Sequence, residues 1–404
     1  MDLSYGAEYE ALRREARAFL EASWPLRGPE AALARGEQVF RFRRRAIEAG
    51  YLARSIPKRY GGSEQPPDPL AAQVIREEFA RHGAPAEARG IGTMMLVPTL
   101  LDRGEEWQKE KWVPKTVLGE ILWCQGYSEP GSGSDLASLR TRAELDGDEW
   151  VIHGQKIWTS DAQRADFMFC LVRTEPDAPK HAGISYILIP MDQPGVEVRP
   201  LKQMNGGADF NEVFLTDAKA PAENIVGRRG EGWLVSRATL KHERDGIGNA
   251  AVTGMMFAGL VALAKQRQRG GRPAIEDPTV RQRLAAIEGY VRAHEYSSYR
   301  QLSRAAKGKD AGRVGVMNKL VSTNIGDQIA KLALDLLDDE GLLDPMAQDP
   351  SFGTLGPARS WLSQYMYSLG IAIAGGTANI QRNVIGERAL GLPRDYYAQQ
   401  SSGR

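Results

Sequence analysis

Two short segments of this chain carry residue types that suit a flat ring with polar edges. The first is Trp123-Cys-Gln-Gly-Tyr-Ser-Glu-Pro-Gly-Ser-Gly-Ser-Asp135, and the second is Gly154-Gln-Lys-Ile-Trp-Thr-Ser160. Glycines and a proline let the first segment turn sharply and approach a ligand closely, while hydroxyls and amides such as those of Ser128 can hydrogen-bond a polar ring edge. Trp158 adds a flat apolar face. A surface loop and a core tryptophan would explain either segment alone, but the two together indicate half of a flavin site.

A third segment, Gly375-Gly-Thr-Ala-Asn-Ile-Gln-Arg-Asn383, has the pattern of a tight glycine turn that starts a helix. Ile380 and Ile385 punctuate an otherwise polar, helix-like run, and Thr377 is a favourable N-cap residue. The amide groups of a helix start suit an electron-rich ligand edge or a thioester oxygen. The sequence therefore predicts a second ligand-facing segment here.

These three segments, in this order, resemble the acyl-CoA dehydrogenase family, and the resemblance covers nearly the whole chain. It implies an α+β fold with a helical N-terminal domain, a middle β-barrel and a C-terminal four-helix bundle. It also implies FAD as the cofactor and an acyl-CoA as the substrate. The cofactor contacts that it implies are Tyr127, Ser128, Trp158, Ser160, Thr377 and Asn379. Ser134 matches a family position near the thioester and is implied as a substrate contact.

The implied reaction removes hydrogen from the α and β carbons of an acyl thioester, so it needs a base for the α-proton and hydrogen bonds to the thioester oxygen. Medium- and short-chain members place the base glutamate where this chain has Gly375. Isovaleryl- and long-chain-type members carry it in a Glu-Arg pair on a bundle helix, and Glu243-Arg244 occupies that place here. We therefore predict Glu243 as the base. We also predict Arg244 and the backbone N–H of Gly375 as substrate contacts.

Two alternatives to Glu243 as the base remain open. His242 is an alternative base, although neighbouring residues on a helix point about 100° apart. Glu243 could also be a structural carboxylate in a first helical turn, stabilised there by the helix dipole.

The ADP part of FAD raises a question about assembly. Typical homotetrameric members hold it with an Arg and a Gln-x-x-Gly-Gly segment from a neighbouring subunit. The corresponding stretches here are Arg267-Gln-Arg-Gly-Gly-Arg-Pro273 and Asp335-Leu-Leu-Asp-Asp-Glu-Gly341, which we call the acidic segment. Arginines remain in the first stretch, but the consecutive acidic residues of the second would repel a pyrophosphate that they faced. A homo-oligomer, as dimer or tetramer, and a heteromer with a second family subunit both stay open.

Composition limits the remaining classes of function. With 52 Lys and Arg against 51 Asp and Glu, the net charge of +1 gives no electrostatic case for nucleic acid or an anionic membrane. Cys124 and Cys170 lie in apolar, strand-like stretches, so we predict buried thiols rather than a disulfide or a metal site. No apolar run approaches the roughly eighteen residues of a membrane span, and the first residues lack the positive start of a signal peptide. We expect a cytoplasmic protein.

The elements that must position these residues follow from apolar periodicity. A helix is predicted before Pro25, and others over about 36–50, 69–82 and 105–119. Strands are predicted at Ile121–Tyr127, Leu139–Leu145, Trp150–Ile152, Phe167–Arg173, Ile184–Met191, Val196–Leu201 and Glu212–Leu215. Helices return over about 233–268, 278–306, 312–339, 358–373 and 379–390. Segregated helices, strands and helices are typical of an α+β fold, and we predict domains at 1–120, 121–230 and 231–404.

We therefore expect FAD-dependent conversion of an acyl-CoA to the trans-2-enoyl-CoA, with electrons passed to an acceptor similar to electron-transfer flavoprotein. Three alternatives share the fold. An acyl-CoA oxidase would let oxygen reach the reduced flavin, and a flavin monooxygenase would not need Glu243. A structural or flavin-binding subunit of a heteromer, such as the steroid side-chain type, would tolerate the altered acidic segment. The acyl class is left open among fatty, branched, aromatic and steroid chains.

Overall fold

The computed structural model describes residues 5–88, 90–309, 312, 314–342 and 360–393, and it describes the backbone alone for 243–247. The chain divides into two compact units. Met1–Arg199 and Phe210–His242 make up the first unit, and Pro200–Asp209 and Glu243–Arg404 make up the second.

Helices dominate the start of the first unit, as the periodicity predicts. They are α1 (Ala7–Ser23), α2 (Arg35–Glu48), α3 (Pro69–Arg81), α4 (Val97–Arg103) and α5 (Glu106–Leu118). Leu20, Phe42, Phe79 and Leu100 lie in their shared core. The predictions for α1, α2, α3 and α5 are confirmed. Helix α4 was not predicted, and it follows directly on a π-helical turn at Gly92–Leu96.

A seven-stranded mixed sheet follows. Its strands are β1 (Trp123–Gly126), β2 (Arg142–Asp146), β3 (Glu149–Ser160), β4 (Phe167–Arg173), β5 (Ile184–Pro190), β6 (Val196–Leu201) and β7 (Phe210–Pro221). The order is β1-β4-β2-β3-β7-β6, with β5 also paired to β4. Strand β1 runs parallel to β4, whereas β2–β3, β3–β7 and β4–β5 are antiparallel.

Strands β3 and β7 are much longer than predicted. Each was expected as a short strand, at Trp150–Ile152 and Glu212–Leu215, but each spans 12 residues. The pairing between them shifts register twice, between Ile152 and Gly154 and between Lys156 and Thr159. Such bulges interrupt the alternation of inward and outward side chains on which strand prediction depends. As a result, the Gly154–Ser160 segment lies on a strand.

The C-terminal part is helical, as predicted, with different boundaries. Its helices are α6 (Gly232–Ile247), α7 (Ala250–Gln266), α8 (Pro278–Ala306), α9 (Asn318–Leu337), α10 (Trp361–Ile371) and α11 (Ala378–Val384). A two-stranded hairpin, β8 (Gln268–Arg269) with β9 (Arg272–Pro273), separates α7 from α8. Core residues of α7, α8 and α9, including Leu260, Ile287 and Ile329, pack together, and Trp361 of α10 packs against them.

The single helix predicted over 233–268 is wrong. The chain breaks at Gly248 and Asn249, and the Asn249 side chain caps α7 by accepting a hydrogen bond from the Ala251 N–H at 2.9 Å. Helix α9 begins at Asn318 rather than near 312. The predicted start of α10 at 358 lies outside the described residues.

Both cysteines are buried free thiols, which confirms their prediction. Burial raises the pKa of the Cys170 thiol to about 11. Within the described residues, the helices are too short or too polar to span a bilayer.

Candidate functional site

The loop Tyr127–Asp135, which we call the serine–glycine loop, leaves β1 and folds against β3. The Ser128 carbonyl accepts a hydrogen bond from the Ile157 N–H at 2.9 Å. Glu129 and Ser132 exchange backbone hydrogen bonds at 2.9 and 3.0 Å, which closes the loop on itself. The two segments that the sequence singled out therefore lie side by side within the first unit.

A buried ion pair holds this loop from beneath. Lys156 is fully buried, and its ammonium donates to the Glu129 carboxylate at 2.8 Å, the Leu171 carbonyl at 2.7 Å and the Tyr127 carbonyl at 3.3 Å. Glu129 also accepts hydrogen bonds from two backbone N–H groups, those of Arg140 at 2.6 Å and Thr141 at 2.9 Å. Burial alone would raise the pKa of the Glu129 carboxyl, but Lys156 and these hydrogen bonds hold it below its usual value. The loop thus keeps its shape through contacts inside the chain.

The glycines of this region have two different reasons to be glycine. A Cβ on Gly126 would lie 2.3 Å from the Met168 sulfur, so packing within the sheet excludes a side chain there. No described heavy atom lies within 4 Å of a Cβ built on Gly131 or Gly133, and neither residue has a positive φ. Nothing in the described chain requires glycine at these two positions. Close approach of another molecule to the loop would explain both.

Trp158 projects from the β3 bulge with a backbone conformation rare for a bulky residue. Its φ is +61°, in the left-handed region, and its side chain is 60% exposed. The Phe210 ring meets it edge-on, with centroids 6.2 Å apart. Thr159 is fully buried and Ser160 is half-buried. The bulge therefore turns the indole outward, where most of it is exposed.

Tyr127 and Ser134, the two remaining predicted residues of the loop, differ in their exposure. The Tyr127 ring is buried, in edge-on contact with Phe169 and Tyr186 at centroid distances of 6.0 and 6.3 Å. Any contact of Tyr127 with a cofactor would have to use its backbone. Ser134 is exposed at the tip of the loop and is accessible to a ligand.

The C-terminal turn, Gly375–Thr377, has the predicted capped geometry. Gly375 and Gly376 have φ values of +60° and +89°, a conformation that glycine adopts without strain. Thr377 is the N-cap of α11, and its hydroxyl accepts a hydrogen bond from the Ile380 N–H at 3.2 Å. The exposed Asn379 accepts a hydrogen bond from Arg382 at 3.1 Å. Thr377 and Asn379 thus both lie at the start of α11, directly after the turn.

The predicted base lies late in its helix. Helix α6 runs from Gly232 to Ile247, so Glu243 is four residues from its end. The alternative role as a first-turn carboxylate is therefore wrong, because the C-terminal end of a helix dipole does not stabilise an anion. The side chains of Glu243 and Arg244 lie outside the described residues. His242 is half-buried.

Arginines near the acidic segment are engaged by its carboxylates. Arg267 donates to Glu340 at 2.8 Å through one nitrogen and more closely through the other, and Arg283 pairs with Asp335. The hydrogen bonds from Arg267 lower the pKa of the Glu340 carboxyl. An adjacent cavity of about 590 Å³ is lined by Arg269, Arg283, Asp335, Asp338 and Asp339, among others. The predicted residues of the ADP arm therefore form a region of mixed charge.

These observations fit one end of FAD better than the other. Hydroxyl groups, an exposed indole and open glycine positions suit the neutral, polar edge of an isoalloxazine ring. The acidic segment is a poor partner for a pyrophosphate, because its carboxylates compete for the same arginines.

Sequence reasoning missed the groups that hold the loop and the turn in place. Lys156 and Glu129 lie inside the segments quoted above, and Lys319, described below, lies near the start of α9. The sequence carried little signal for any of them, because Glu129 lies in a polar loop and a lysine is ordinarily exposed.

Family models confirm the resemblance. Those of the acyl-CoA dehydrogenase N-terminal, middle and C-terminal domains match residues 6–120, 124–218 and 230–390. The acyl-CoA dehydrogenase IpdE1 of Mycobacterium tuberculosis is 38% identical over 400 residues, which cover 96% of this chain and 99% of that protein.

Two solved structures are also similar. The ChsE4-ChsE5 complex from Mycobacterium tuberculosis has a TM-score of 0.76 at 30% identity, covering 98% of this chain and 100% of that chain. The Tcur3481-Tcur3483 steroid ACAD has the same TM-score of 0.76, identity of 30% and coverage of 98% and 100%.

Proposed function

Because this chain belongs to the acyl-CoA dehydrogenase family, we propose that it uses FAD to oxidise an acyl-CoA thioester to the trans-2-enoyl-CoA. The observation that carries the proposal is the serine–glycine loop, which is held from beneath by Lys156, open at Gly131 and Gly133, and bordered by the exposed Trp158. Contacts within the chain give this arrangement its shape. Residues 1–120, 121–230 and 231–404 act as three domains in this proposal.

The cofactor contacts divide between the loop and the C-terminal turn. Ser128 and Ser160 would hydrogen-bond the polar edge of the isoalloxazine, and Trp158 would offer it an apolar face. Tyr127 contributes through its backbone, since its ring is buried. Thr377 and Asn379 contact the cofactor from the start of α11.

The chain itself supplies proton transfer and orientation. When bound, FAD accepts the hydride that leaves the β-carbon. Glu243 takes the proton from the α-carbon, so that two hydrogens and two electrons leave the substrate. The backbone N–H of Gly375 hydrogen-bonds the thioester oxygen, where negative charge develops. Arg244 and Ser134 contact the substrate away from the reacting carbons.

We infer further that the chain works as part of a heteromer on a steroid-like acyl-CoA. One similar structure is the ChsE4-ChsE5 complex and the other is the Tcur3481-Tcur3483 steroid ACAD, so each names two proteins and one names a steroid. The pairing of Arg267 and Arg283 with carboxylates of the acidic segment supports the same inference, because it leaves this chain a poor pyrophosphate site of its own. A structural subunit is a second candidate for the same reason, but the preserved loop favours a chain that binds flavin. We propose an acceptor similar to electron-transfer flavoprotein, on the family resemblance.

The test is purification of the chain alone and together with a co-expressed second subunit of the family. We expect a yellow protein with FAD rather than FMN, and higher flavin occupancy in the co-purified assembly. Mixing with acyl-CoAs of fatty, branched, aromatic and steroid type without oxygen should bleach the flavin most rapidly with the steroid type. Colourless protein from both preparations would overturn the flavoenzyme proposal. One tightly held FAD per subunit in a homo-oligomer would overturn the heteromer.

Flavin bleaching also distinguishes a dehydrogenase from an oxidase and from a monooxygenase. Rapid reoxidation of the reduced protein by air would favour an oxidase. Flavin that acyl-CoA does not bleach, in a protein that binds FAD, would favour a monooxygenase.

A further inference from the structure

Lys319 is a buried lysine beneath the C-terminal turn. It is the second residue of α9 and is 2% exposed. Its ammonium donates to the Gly376 carbonyl at 2.5 Å and lies 3.4 Å from the Ala372 carbonyl oxygen. A lysine is rarely buried unless hydrogen bonds replace its water, because desolvation of an ammonium is costly. The position therefore needs a specific explanation.

The turn itself needs support. Gly375 and Gly376 both have positive φ, and consecutive glycines have wide conformational freedom. The buried Gln381 amide donates to the Gly375 carbonyl at 3.2 Å and to the Gly376 carbonyl at 3.4 Å. Lys319 and Gln381 thus hold the carbonyl side of the turn from within the second unit.

Lys319 also adjoins the chain segment that follows the predicted base. The buried Gly248 comes directly after α6. A Cβ on it would lie 2.6 Å from the Asn318 Cβ and 3.0 Å from the backbone nitrogen of Lys319. Asn318 is fixed to α8 by paired amide hydrogen bonds with Gln301 at 3.1 and 2.9 Å. The start of α9 is therefore anchored to α8 on one side and lies close to Gly248, the residue directly after the Glu243-bearing helix, on the other.

We propose that Lys319 is a positioning residue for the reaction. Its backbone lies close to the residue that follows α6, and its ammonium fixes the C-terminal turn, so that it sets the spacing between the Glu243 helix and the Gly375–Thr377 backbone. A hydrogen bond to the Gly376 carbonyl also polarises the planar Gly376–Thr377 peptide and strengthens its N–H as a donor. This inference rests on the proposed function, in which Gly375 and Thr377 face the thioester and the cofactor.

The experiment compares Lys319→Met and Lys319→Gln with Lys331→Met. Lys331 lies on the same helix, but it is 54% exposed and pairs with Asp327 at 2.8 Å, so its substitution removes the same charge without touching the turn. Three quantities are measured in the assembly that binds FAD. These are the amide hydrogen exchange of residues 372–381, the visible spectrum of the bound flavin, and the single-turnover bleaching rate at several concentrations of acyl-CoA.

For Lys319→Met we expect faster amide exchange in the turn and a shifted flavin spectrum. The bleaching rate at saturating acyl-CoA should fall about 10²-fold, the loss that a misplacement near 1 Å can cause. The half-saturating concentration should change much less. The values for Lys319→Gln should lie between those of the unmodified protein and Lys319→Met, since the glutamine amide can still donate one hydrogen bond. Lys331→Met should match the unmodified protein.

A purely structural lysine would lower stability yet leave the exchange of the turn and the bleaching rate of flavin-loaded protein at the Lys331→Met level, and that result would overturn the proposal. If Lys319→Met does not fold, Lys319→Gln is judged by the same criteria. If the unmodified assembly binds no flavin, the proposed function fails, and the amide-exchange measurement alone tests the role of Lys319. Faster exchange at 372–381 in the Lys319 variant would then support its hold on the turn, and unchanged exchange would overturn it.

Discussion

The serine–glycine loop and the acidic segment use positive charge in opposite ways. At the loop, the Lys156 ammonium is fully buried and holds backbone carbonyls together with one carboxylate. At the acidic segment, Arg267 is partly exposed and engages the side chain of Glu340 on the surface. Buried charge shapes the loop through contacts within the chain, whereas surface pairing occupies the arginine that an anionic ligand would need.

This difference indicates which end of FAD the chain is built to receive. The loop and the C-terminal turn each lie above a buried lysine, and both are segments that we propose to contact the isoalloxazine. Beside the acidic segment, Arg267 and Arg283 would have to leave their carboxylates before they could bind a pyrophosphate. In the proposed function, the chain therefore binds the redox end of the cofactor, and a second subunit supplies what the other end lacks.

The largest expected effect tests whether Glu243 acts as the base of the proposed reaction at the isoalloxazine end of the cofactor. Glu243→Gln keeps the size of the side chain but cannot accept the α-proton. Removal of a general base costs about 10²–10⁴-fold in rate, and we expect the single-turnover bleaching rate to fall by the upper part of that range while FAD still binds. Glu288→Gln, which changes an exposed carboxylate on α8, is the control.

A second substitution sharpens this result. Gly375→Glu in the Glu243→Gln background should restore part of the rate if the two positions address the same α-carbon. If Glu243→Gln instead bleaches flavin within a few-fold of the unmodified protein, Glu243 is not the base, and His242 is the next residue to test.

The next effect concerns the buried pair beneath the loop. Lys156→Met leaves the Glu129 carboxylate buried without its cation, and breaking such a pair typically costs about 3–5 kcal/mol of stability. We expect a loss of that order in urea unfolding followed by tryptophan fluorescence, which reports mainly on the first unit because Trp361 alone lies beyond it. Flavin occupancy should fall as well.

Two further variants isolate the pair. Adding Glu129→Gln to Lys156→Met should recover part of the stability, because no uncompensated charge remains buried. Lys219→Met removes a lysine that pairs with Glu149 on the exposed face of the same sheet, and it should have little effect. Equal losses for Lys156→Met and Lys219→Met would show that burial of the charge is not what stabilises the loop.

A smaller effect should appear in acid. The folded-state pKa of Glu129 is lowered, so its contribution to stability is present above the unfolded-state value of about 4.3 and is lost as the pH falls through the folded value. Amide exchange of residues 127–141 should therefore accelerate below about pH 4, beyond the intrinsic pH trend. Glu129→Gln should abolish this step. Carbonyl groups do not titrate in this range, so amide exchange in the Gly375–Thr377 turn should not accelerate at the same pH. Acceleration of both segments together would contradict the prediction that Glu129 causes the step in the loop.

Patterns that local sequence determines were predicted well. Strands Phe167–Arg173 and Val196–Leu201 have the predicted ends, and the Thr377 cap is confirmed. The break after α6 was missed although the sequence marks it locally, because apolar residues on both sides suggested one continuous helix. Gly246 and Gly248 are poor helix formers, and Asn249 is the N-cap of α7.

The buried lysines were missed for a different reason. A lysine in a sequence is ordinarily exposed, and only the fold shows that carbonyls remote in sequence replace its water. Leu171 does so for Lys156, and Gly376 does so for Lys319. The motifs identified the segments that we propose to face the cofactor, while the groups that hold those segments became visible only in three dimensions.

The smallest expected effect lies at the end of α9, where the acidic segment departs from the family's glycines. Asp338 has φ +51° and ψ −131°, a conformation that glycine adopts readily and that costs other residues about 1–3 kcal/mol. Asp338→Gly relieves this strain but also gives the unfolded chain more freedom, which costs about 0.4–1 kcal/mol. Strain relief is the larger quantity, so we expect a net stabilisation of about 1 kcal/mol, seen as slower native-state amide exchange in the last turns of α9. Asp339→Gly is the matched control, because Asp339 does not have a positive φ, and it should destabilise the same turns. Equal effects of the two substitutions would mean that the backbone at Asp338 is not strained, and that the acidic segment has replaced the family's glycines without a conformational cost.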